Sequence, residues 1–320
     1  MKPEISINIE GYNETLEIGA LEETLAALRA QLYPLDRVEV LLIGSSAQIK
    51  HWAAYEANPA PFAAIRAIDA GESRYYALKN RGARESAADI LVFIDSDIAP
   101  LPGWLGSLVA AINAGATATC GPSLFRDGSL ESSRRLPLLV AAAISWGFIV
   151  GKGGRASGFL SHNLGFQRDA FERIGFREEF GRTLAGSVLL DEMNGAGIQP
   201  VFVPEQRVAH AFQWRWWFTR LHVRFGHEVY LLHRLNFRVV SRYARFLGPL
   251  DAIATPCWHV LLDFPKWWRY SGVLGVPLIK RLAGLILVLP CSFLARGGEM
   301  AGMVRTVFSE GRMRAFAERN

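Results

Sequence analysis

The chain of 320 residues is 50% hydrophobic and 20% charged, with a mean hydropathy of +0.15. That apolar share excludes a disordered chain, the length allows one large domain or two small ones, and no run of about 18 uncharged apolar residues marks a clean membrane span. The net charge of +5 is unevenly spread: residues 1–204 hold 18 Lys and Arg against 23 Asp and Glu, and residues 205–320 hold 17 against 7. Six of the nine tryptophans (Trp214, Trp216, Trp217, Trp258, Trp267 and Trp268) lie in the basic part. Basic residues among Trp and aliphatic side chains point to an anionic membrane surface and away from nucleic acid. Cys120, Cys257 and Cys291 lack metal-site spacing and are read as buried structural thiols in a reducing compartment. The acidic start of the chain lacks the apolar core of a signal peptide, so the expected location is cytoplasmic.

Along the chain, Glu4 to Glu10 alternates and is rich in Ile, which predicts a strand ending in the loop Gly11-Tyr12-Asn13-Glu14. Helical spacing follows over 20–31, then an apolar strand over 38–43 broken by Gly44-Ser45-Ser46. Helix 46–57, strand 64–68, helix 75–87 and the apolar strand 90–94 continue the alternation, and the last runs straight into Asp95-Ser96-Asp97. Strands alternating with helices predict a Rossmann-like, mostly parallel mixed sheet, in which ligands bind beyond the carboxyl ends of the strands. Next come helix 102–113, a strand near 116–121, a loop over 122–137, an apolar stretch over 138–150 and a Gly-rich loop at 151–155 without Walker spacing. Strands over 162–166, 201–204 and 208–210 and helices 168–174 and 186–196 complete this part.

The basic part starts with an Arg- and aromatic-rich stretch, 214–238. Trp217, Leu221, Arg224, Glu228 and Leu231 fall on one helical stripe there, which predicts an amphipathic helix that packs on the core and touches lipid. Leu282 to Ala295 is fourteen residues without a charge. As a helix it measures about 21 Å, short of the roughly 30 Å hydrocarbon core, so an in-plane or re-entrant element is expected. Arg269, Lys280, Arg281 and Arg296 are then expected at headgroup level.

Two carboxylates around one residue at a strand end suit a divalent cation that neutralises a departing diphosphate. Asp95 and Asp97 are therefore candidate ligands of Mn²⁺ or Mg²⁺. With these residues in place, the chain resembles the family 2 glycosyltransferases of the A-type nucleotide-sugar transferase fold, of the membrane-associated bacterial kind. The resemblance rests on Ile5 to Glu14, Leu25 to Pro34, Lys79-Asn80-Arg81-Gly82-Ala83, Ala88-Asp89-Ile90, Leu91 to Asp97, Asn163 to Phe180 and Gly197 to His210. It implies that Glu10 and Tyr12 meet the nucleotide, that Lys79 and Asn80 form a second donor loop, and that Asp95 approaches the ribose and the metal. It implies further that Asp97 is the direct metal ligand and that His210 completes the metal or diphosphate site.

Two departures stand out. The carboxylate that the family usually carries before the Gly-Ser of the second strand is Ile43 here, which leaves the base unassigned. The family's Glu-Asp base pair falls on Ala185-Gly186, and the nearest acids are Asp191 and Glu192. These are either a shifted catalytic base or a solvated helix face. Gln213-Trp214-Arg215-Trp216-Trp217 departs from the processive synthases' QxxRW element, so single-sugar transfer is expected. Ala295 to Gly302 resembles the membrane-associated end of some family members.

The expectation is a catalytic domain over 1–212 with a helical, membrane-associating extension over 213–320. It would move one sugar, with inversion, from a nucleotide-sugar to a lipid-linked or envelope-glycan acceptor. The placement would be peripheral or monotopic at the cytoplasmic membrane face. A non-catalytic membrane-bound scaffold and a nucleotidyltransferase are the alternatives.

Overall fold

The computed structural model describes residues 2–12, 20–71, 74–151, 156–178, 181–235 and 247–319. Asn13, Glu14, Phe180, most of the loop at 151–155 and the end of the 214–238 stretch lie outside the described residues.

The first half is the expected alternation. It comprises β1 (Ile5–Glu10), α1 (Ala20–Arg29), β2 (Val38–Gly44), α2 (Ser46–Ala57), β3 (Ala64–Asp69), α3 (Tyr75–Glu85) and β4 (Ile90–Asp95). A short β5 (Ile98–Pro100), α4 (Trp104–Asn113) and β6 (Ala118–Cys120) follow. The region read as loop holds an unexpected strand, β7 (Ser123–Arg126), before the buried α5 (Leu136–Trp146). Then come β8 (Asn163–Gln167), α6 (Arg168–Ile174), α7 (Gly181–Gly195), β9 (Val201–Phe202) and β10 (Val208–Ala211).

Seven strands form one mixed sheet in the order β3-β2-β1-β4-β8-β6-β9, and β5-β10-β7 form a second. β1, β2, β3 and β4 pair in parallel, whereas β8 runs antiparallel to β4 and β6. The register sets Glu10 beside both Ile43 and Asp95, so the carboxyl ends of β1, β2 and β4 end at one level.

The alternation in β1 marks no solvent face, because all six residues are buried. Its polar side is covered by α3 and internally bonded: Ser6 donates to Glu39, Ser86 Oγ donates to Asn8 Oδ1 at 3.1 Å, and Asn8 Nδ2 donates to the Val92 carbonyl at 3.3 Å. Buried polar groups persist when each finds a partner.

The C-terminal part comprises α8 (Trp214–Trp216), one π-helical turn (Trp217–Leu221), α9 (His222–Arg234), α10 (Asp251–Val273) and α11 (Leu278–Arg319, broken at Ser309). It shares a hydrophobic core with the sheet: Trp217, Trp267, Tyr270, Val288, Cys291 and Ala295 pack in one cluster with Phe93, Phe125, Leu164 and Phe166. The stripe predicted on 214–238 belongs to this packing. Trp217, Leu221 and Leu231 are buried, and Arg224 and Glu228 are half-buried.

Exposed apolar side chains gather on α10 and α11 instead. Leu282, Ile286, Leu289 and Phe293, at three- and four-residue spacing, share one side of α11. α11 is long and apolar enough to cross a bilayer by length and composition, yet its other side packs on α9, α10 and α5. That one-sided exposure matches a helix lying along a surface.

Arg296, expected at headgroup level, is buried, with Nη2 bonded to Asp263 and Nη1 to Glu299. Arg269 and Lys280 are exposed, and the Arg281 guanidinium lies 4.0 Å from the centroid of the Trp268 ring. Cys120 and Cys291 are buried, whereas Cys257 is exposed, against the expectation of three buried thiols.

Candidate active site

Asp95 closes β4 and is buried. Lys79 Nζ donates to its Oδ1 at 2.6 Å, and Tyr75 Oη lies 2.8 and 2.9 Å from its two oxygens. Tyr75 and Lys79 stand one turn apart on α3, the spacing that puts two side chains on one helix face. Burial pushes the Asp95 carboxyl up, but the Lys79 charge and the hydrogen bonds outweigh it and hold the group well below the usual carboxylate range.

Asp97 lies in the turn between β4 and β5. β5 pairs antiparallel with β10, with Ile98 opposite His210, and this register brings His210 Nε2 to 3.2 Å from Asp97 Oδ2. His210 Nδ1 is 2.7 Å from the Ala211 carbonyl, which only accepts, so Nδ1 donates there. Nε2 stands against the carboxylate oxygen, a pair that a ring proton bridges and that a bound cation can bridge instead. Trp216 stacks on His210 at 5.5 Å and 21°, and Trp146 and His162 stand at 5.9 and 6.0 Å. His162 lies 3.1 Å from Ser123 Oγ, and burial, partly offset by Asp95, pushes its pKa down to about 3.

Glu10 is buried at the same level, and its Oε2 accepts the Tyr12 backbone N–H at 2.7 Å, closing the turn after β1. Tyr12 meets the Tyr75 ring edge-on at 6.0 Å. Asp95, His162, His210, Tyr75 and Trp216 open on a cavity of about 850 Å³.

The match to known proteins agrees with this layout. Residues 6–175, more than half of the chain, match Glycosyl transferase family 2. The chain belongs to that family. As a family 2 glycosyltransferase it shares its fold with two solved structures at low identity. One is the mannosyltransferase PcManGT from Pyrobaculum calidifontis, in complex with GDP-Man and Mn²⁺ (17% identity, TM-score 0.57, 97% of this chain and 88% of that one). The other is S. aureus TarS 1–349 in complex with UDP (13% identity, TM-score 0.51, 97% and 91%). No curated protein matches the sequence.

The remaining expected site residues of this glycosyltransferase are placed differently. Among the described residues no three His, Cys, Asp or Glu side chains converge as a metal cluster. Asp95, expected beside Asp97 and His210 as a ligand, is instead engaged by Lys79 and Tyr75, and Lys79 spends its charge on it. Asn80 holds the turn after α6: its Nδ2 donates to the Phe176 carbonyl at 2.7 Å and Glu178 Oε1 at 2.8 Å, while its Oδ1 accepts the Phe176 N–H at 3.0 Å.

On α7, Gly186, Ser187 and Leu190 line the cavity, but Asp191 and Glu192 do not. Glu192 is half-buried, and its Oε1 pairs with Arg177 Nε at 2.6 Å. Of the acids that do line the cavity, Asp95 is bonded by Lys79, Asp251 by His233 and Glu299 by Arg296 and His259. Glu228 lines it at 3.6 Å from Arg224, whose charge also acts on His162.

Sequence reasoning missed Tyr75, His162 and Trp216. For Tyr75 a signal existed, the four-residue step to Lys79. His162 and Trp216 carried none, since they come together only through the folding of β8 and α8 onto β10. A carboxylate also stands at the level where Ile43 replaces the family's acid. Asp69 at the end of β3 pairs with Gly44 in register and accepts Ser46 Oγ at 2.6 Å and the Gly71 N–H at 2.8 Å.

Proposed function

We propose that this enzyme transfers a single sugar, with inversion, from a nucleotide-sugar donor to a lipid-linked or envelope-glycan acceptor at the cytoplasmic face of the membrane. The observation that carries the reading is the pair Asp97 and His210 beyond the carboxyl end of β4, whose facing oxygen and nitrogen can share a cation. Asp97 and His210 would hold Mn²⁺ or Mg²⁺, with diphosphate oxygens and water completing the shell. When bound, that ion supplies charge neutralisation for the departing nucleoside diphosphate. The bound Mn²⁺ and GDP-Man of the mannosyltransferase support the same reading.

In the single displacement, the acceptor hydroxyl attacks the anomeric carbon, the bond to the diphosphate breaks, and a general base takes the hydroxyl proton. We assign that base to Glu228, which lines the cavity where Asp191 and Glu192 do not. Glu10 and Tyr12 shape the loop that meets the nucleotide, and Lys79 acts through Asp95, which it keeps ionised. Trp216, stacked on His210, limits its ring motion and shields the centre from water. Residues 1–212 supply the donor side of this chemistry, and 213–320 add Trp216 and Glu228 and supply the membrane attachment. The exposed apolar sides of α10 and α11 support the attachment, with Arg269 and Lys280 suited to anionic lipid.

The test is calorimetric titration of the full chain with a panel of UDP-, GDP-, dTDP- and CMP-sugars, with and without Mn²⁺. Mn²⁺-dependent binding of one donor is expected, lost in Asp97→Asn and His210→Gln. Undiminished binding in both variants would overturn the assignment. Glu228→Gln is expected to keep donor binding and to lower kcat by about 10²-fold or more.

A further inference from the structure

The cavity that opens on Asp95 and His210 extends well beyond the reacting centre. It passes Ser145 and Trp146 of α5 and continues between α9 and α10, where Phe225, Val229, Leu232, Ala254, Trp258 and Leu262 form its wall. Charged groups along this stretch are bonded to one another. Arg296 bonds Glu299 and Asp263, Lys266 Nζ lies 3.1 Å from Asp263 Oδ1, and His259 Nδ1 lies 2.5 Å from Glu299 Oε1. Arg224, whose charge acts on His162, and its partner Glu228 belong to the reacting end; beyond them, with the charges answered inside the protein, the wall offers mainly apolar surface.

The far end of the cavity is also the outside of the molecule. Trp258 lines the cavity and is 55% exposed, and Leu247 lines it and is 54% exposed. Trp258 belongs to an exposed apolar side of α10 that includes Ile253, Leu261 and Trp268, and α11 adds Leu282, Ile286, Leu289 and Phe293. Apolar surface on this scale marks a membrane or partner contact. At the α10–α11 elbow, exposed Arg269 and Lys280 and the stacked Trp268–Arg281 pair give it the cationic, Trp-bearing border of a bilayer interface.

We propose that the acceptor is an amphiphile held in the bilayer, whose apolar chain enters the cavity between α9 and α10 while its head reaches the Asp97–His210 centre. Resting on the glycosyltransferase reading, this selects the lipid-linked acceptor over a soluble glycan. The bilayer is the occupant of the α10 and α11 surface, and the cavity is the path from it to the donor site.

The experiment uses the full chain with vesicles of phosphatidylcholine and phosphatidylglycerol, doped with a diazirine-bearing farnesyl phosphate. Photolysis is followed by peptide mapping, and Mn²⁺-dependent donor binding is measured in parallel on the same samples. Labelling of residues 225–232 and 254–262 is expected in the wild type, and its loss in Val229→Trp and in Ala254→Trp with donor binding retained. Ala254 is itself exposed, so this variant keeps the test open if the tighter Val229 site rejects the larger ring. Labelling confined to the outer sides of α10 and α11, or unchanged in both variants, would overturn the proposal. Cavity labelling without donor binding by any variant or wild type would sustain the lipid path and defeat the glycosyltransferase reading instead.

Discussion

Replacing Lys79 by Met keeps most of the side-chain stem and removes the charge that answers Asp95. Both side chains are almost wholly buried, and the ion pair measures 2.6 Å. At an effective dielectric of about 20, two unit charges at that separation attract by about 6 kcal/mol. Their desolvation offsets much of this, but the offset is lost when only one partner leaves, so Lys79→Met is expected to cost about 3–5 kcal/mol. The two hydroxyl contacts from Tyr75 keep it from costing more. In a chain of this length each kcal/mol moves Tm by roughly 1.5 °C, so scanning calorimetry should register a drop of about 4–8 °C. Two further readouts isolate the cause. The double variant Lys79→Met/Asp95→Asn removes the stranded charge and is expected to recover a large part of the loss. In the single variant, burial unopposed by Lys79 raises the Asp95 pKa in the folded state. The deficit relative to wild type therefore shrinks as pH falls from 7 to 5. A Lys79→Met protein within about 1 kcal/mol of wild type, or a double variant less stable than the single one, would refute the reasoning.

Two other outcomes follow from the packing. Burial, reinforced by the Arg296 charge, pushes the His222 pKa down to about 3, and burial pushes His227 to about 4. Unfolded histidine takes its proton near pH 6.5, so this stability is complete above that value and is lost as pH falls through the window from 6.5 towards 3. His222 alone should cost about 2 kcal/mol by pH 5, and urea titrations at pH 7 and pH 5 should find the difference reduced in His222→Phe. At Gly302, where α11 crosses α9, an added Cβ would stand 1.9 Å from the Val223 carbonyl oxygen, a backbone atom that cannot swing away. Gly302→Ala is expected to destabilise by about 3 kcal/mol in the same assay, and a value under about 0.5 kcal/mol would contradict the close helix contact.

Much of the first hundred residues was legible because their strands and helices announce themselves locally. Val38 to Gly44 and Ile90 to Asp95 are apolar runs of strand length bounded by Gly, Ser or Asp, and such runs survive only inside a covered sheet. β7 escaped notice because Ser123-Leu124-Phe125-Arg126 is too short and mixed to show a period, and becomes a strand only through β10 beside it. The stripe on α9 was correctly apolar, but periodicity cannot distinguish a lipid from a protein core, and here α11 covers it. Arg296 misled for a related reason. A lone Arg after an apolar run suits a headgroup, and its partner Asp263 is 33 residues away in sequence, on another helix.

The sequence by itself determined the α/β order, the position of Asp95 and Asp97 at a strand end, the family, and the split between an acidic body and a basic, Trp-rich end. Those features are local or ordered along the chain, and no contact partner is needed to see them. Only the tertiary structure decided which carboxylate meets His210, because that depends on the register of β5 against β10. It alone tied Asp95 to Lys79, turned Asp191 and Glu192 from the cavity, and opened that cavity toward the apolar sides of α10 and α11. Such outcomes are set by pairings across tens to hundreds of residues, where side-chain direction and burial arise from packing and leave no periodic trace in the chain.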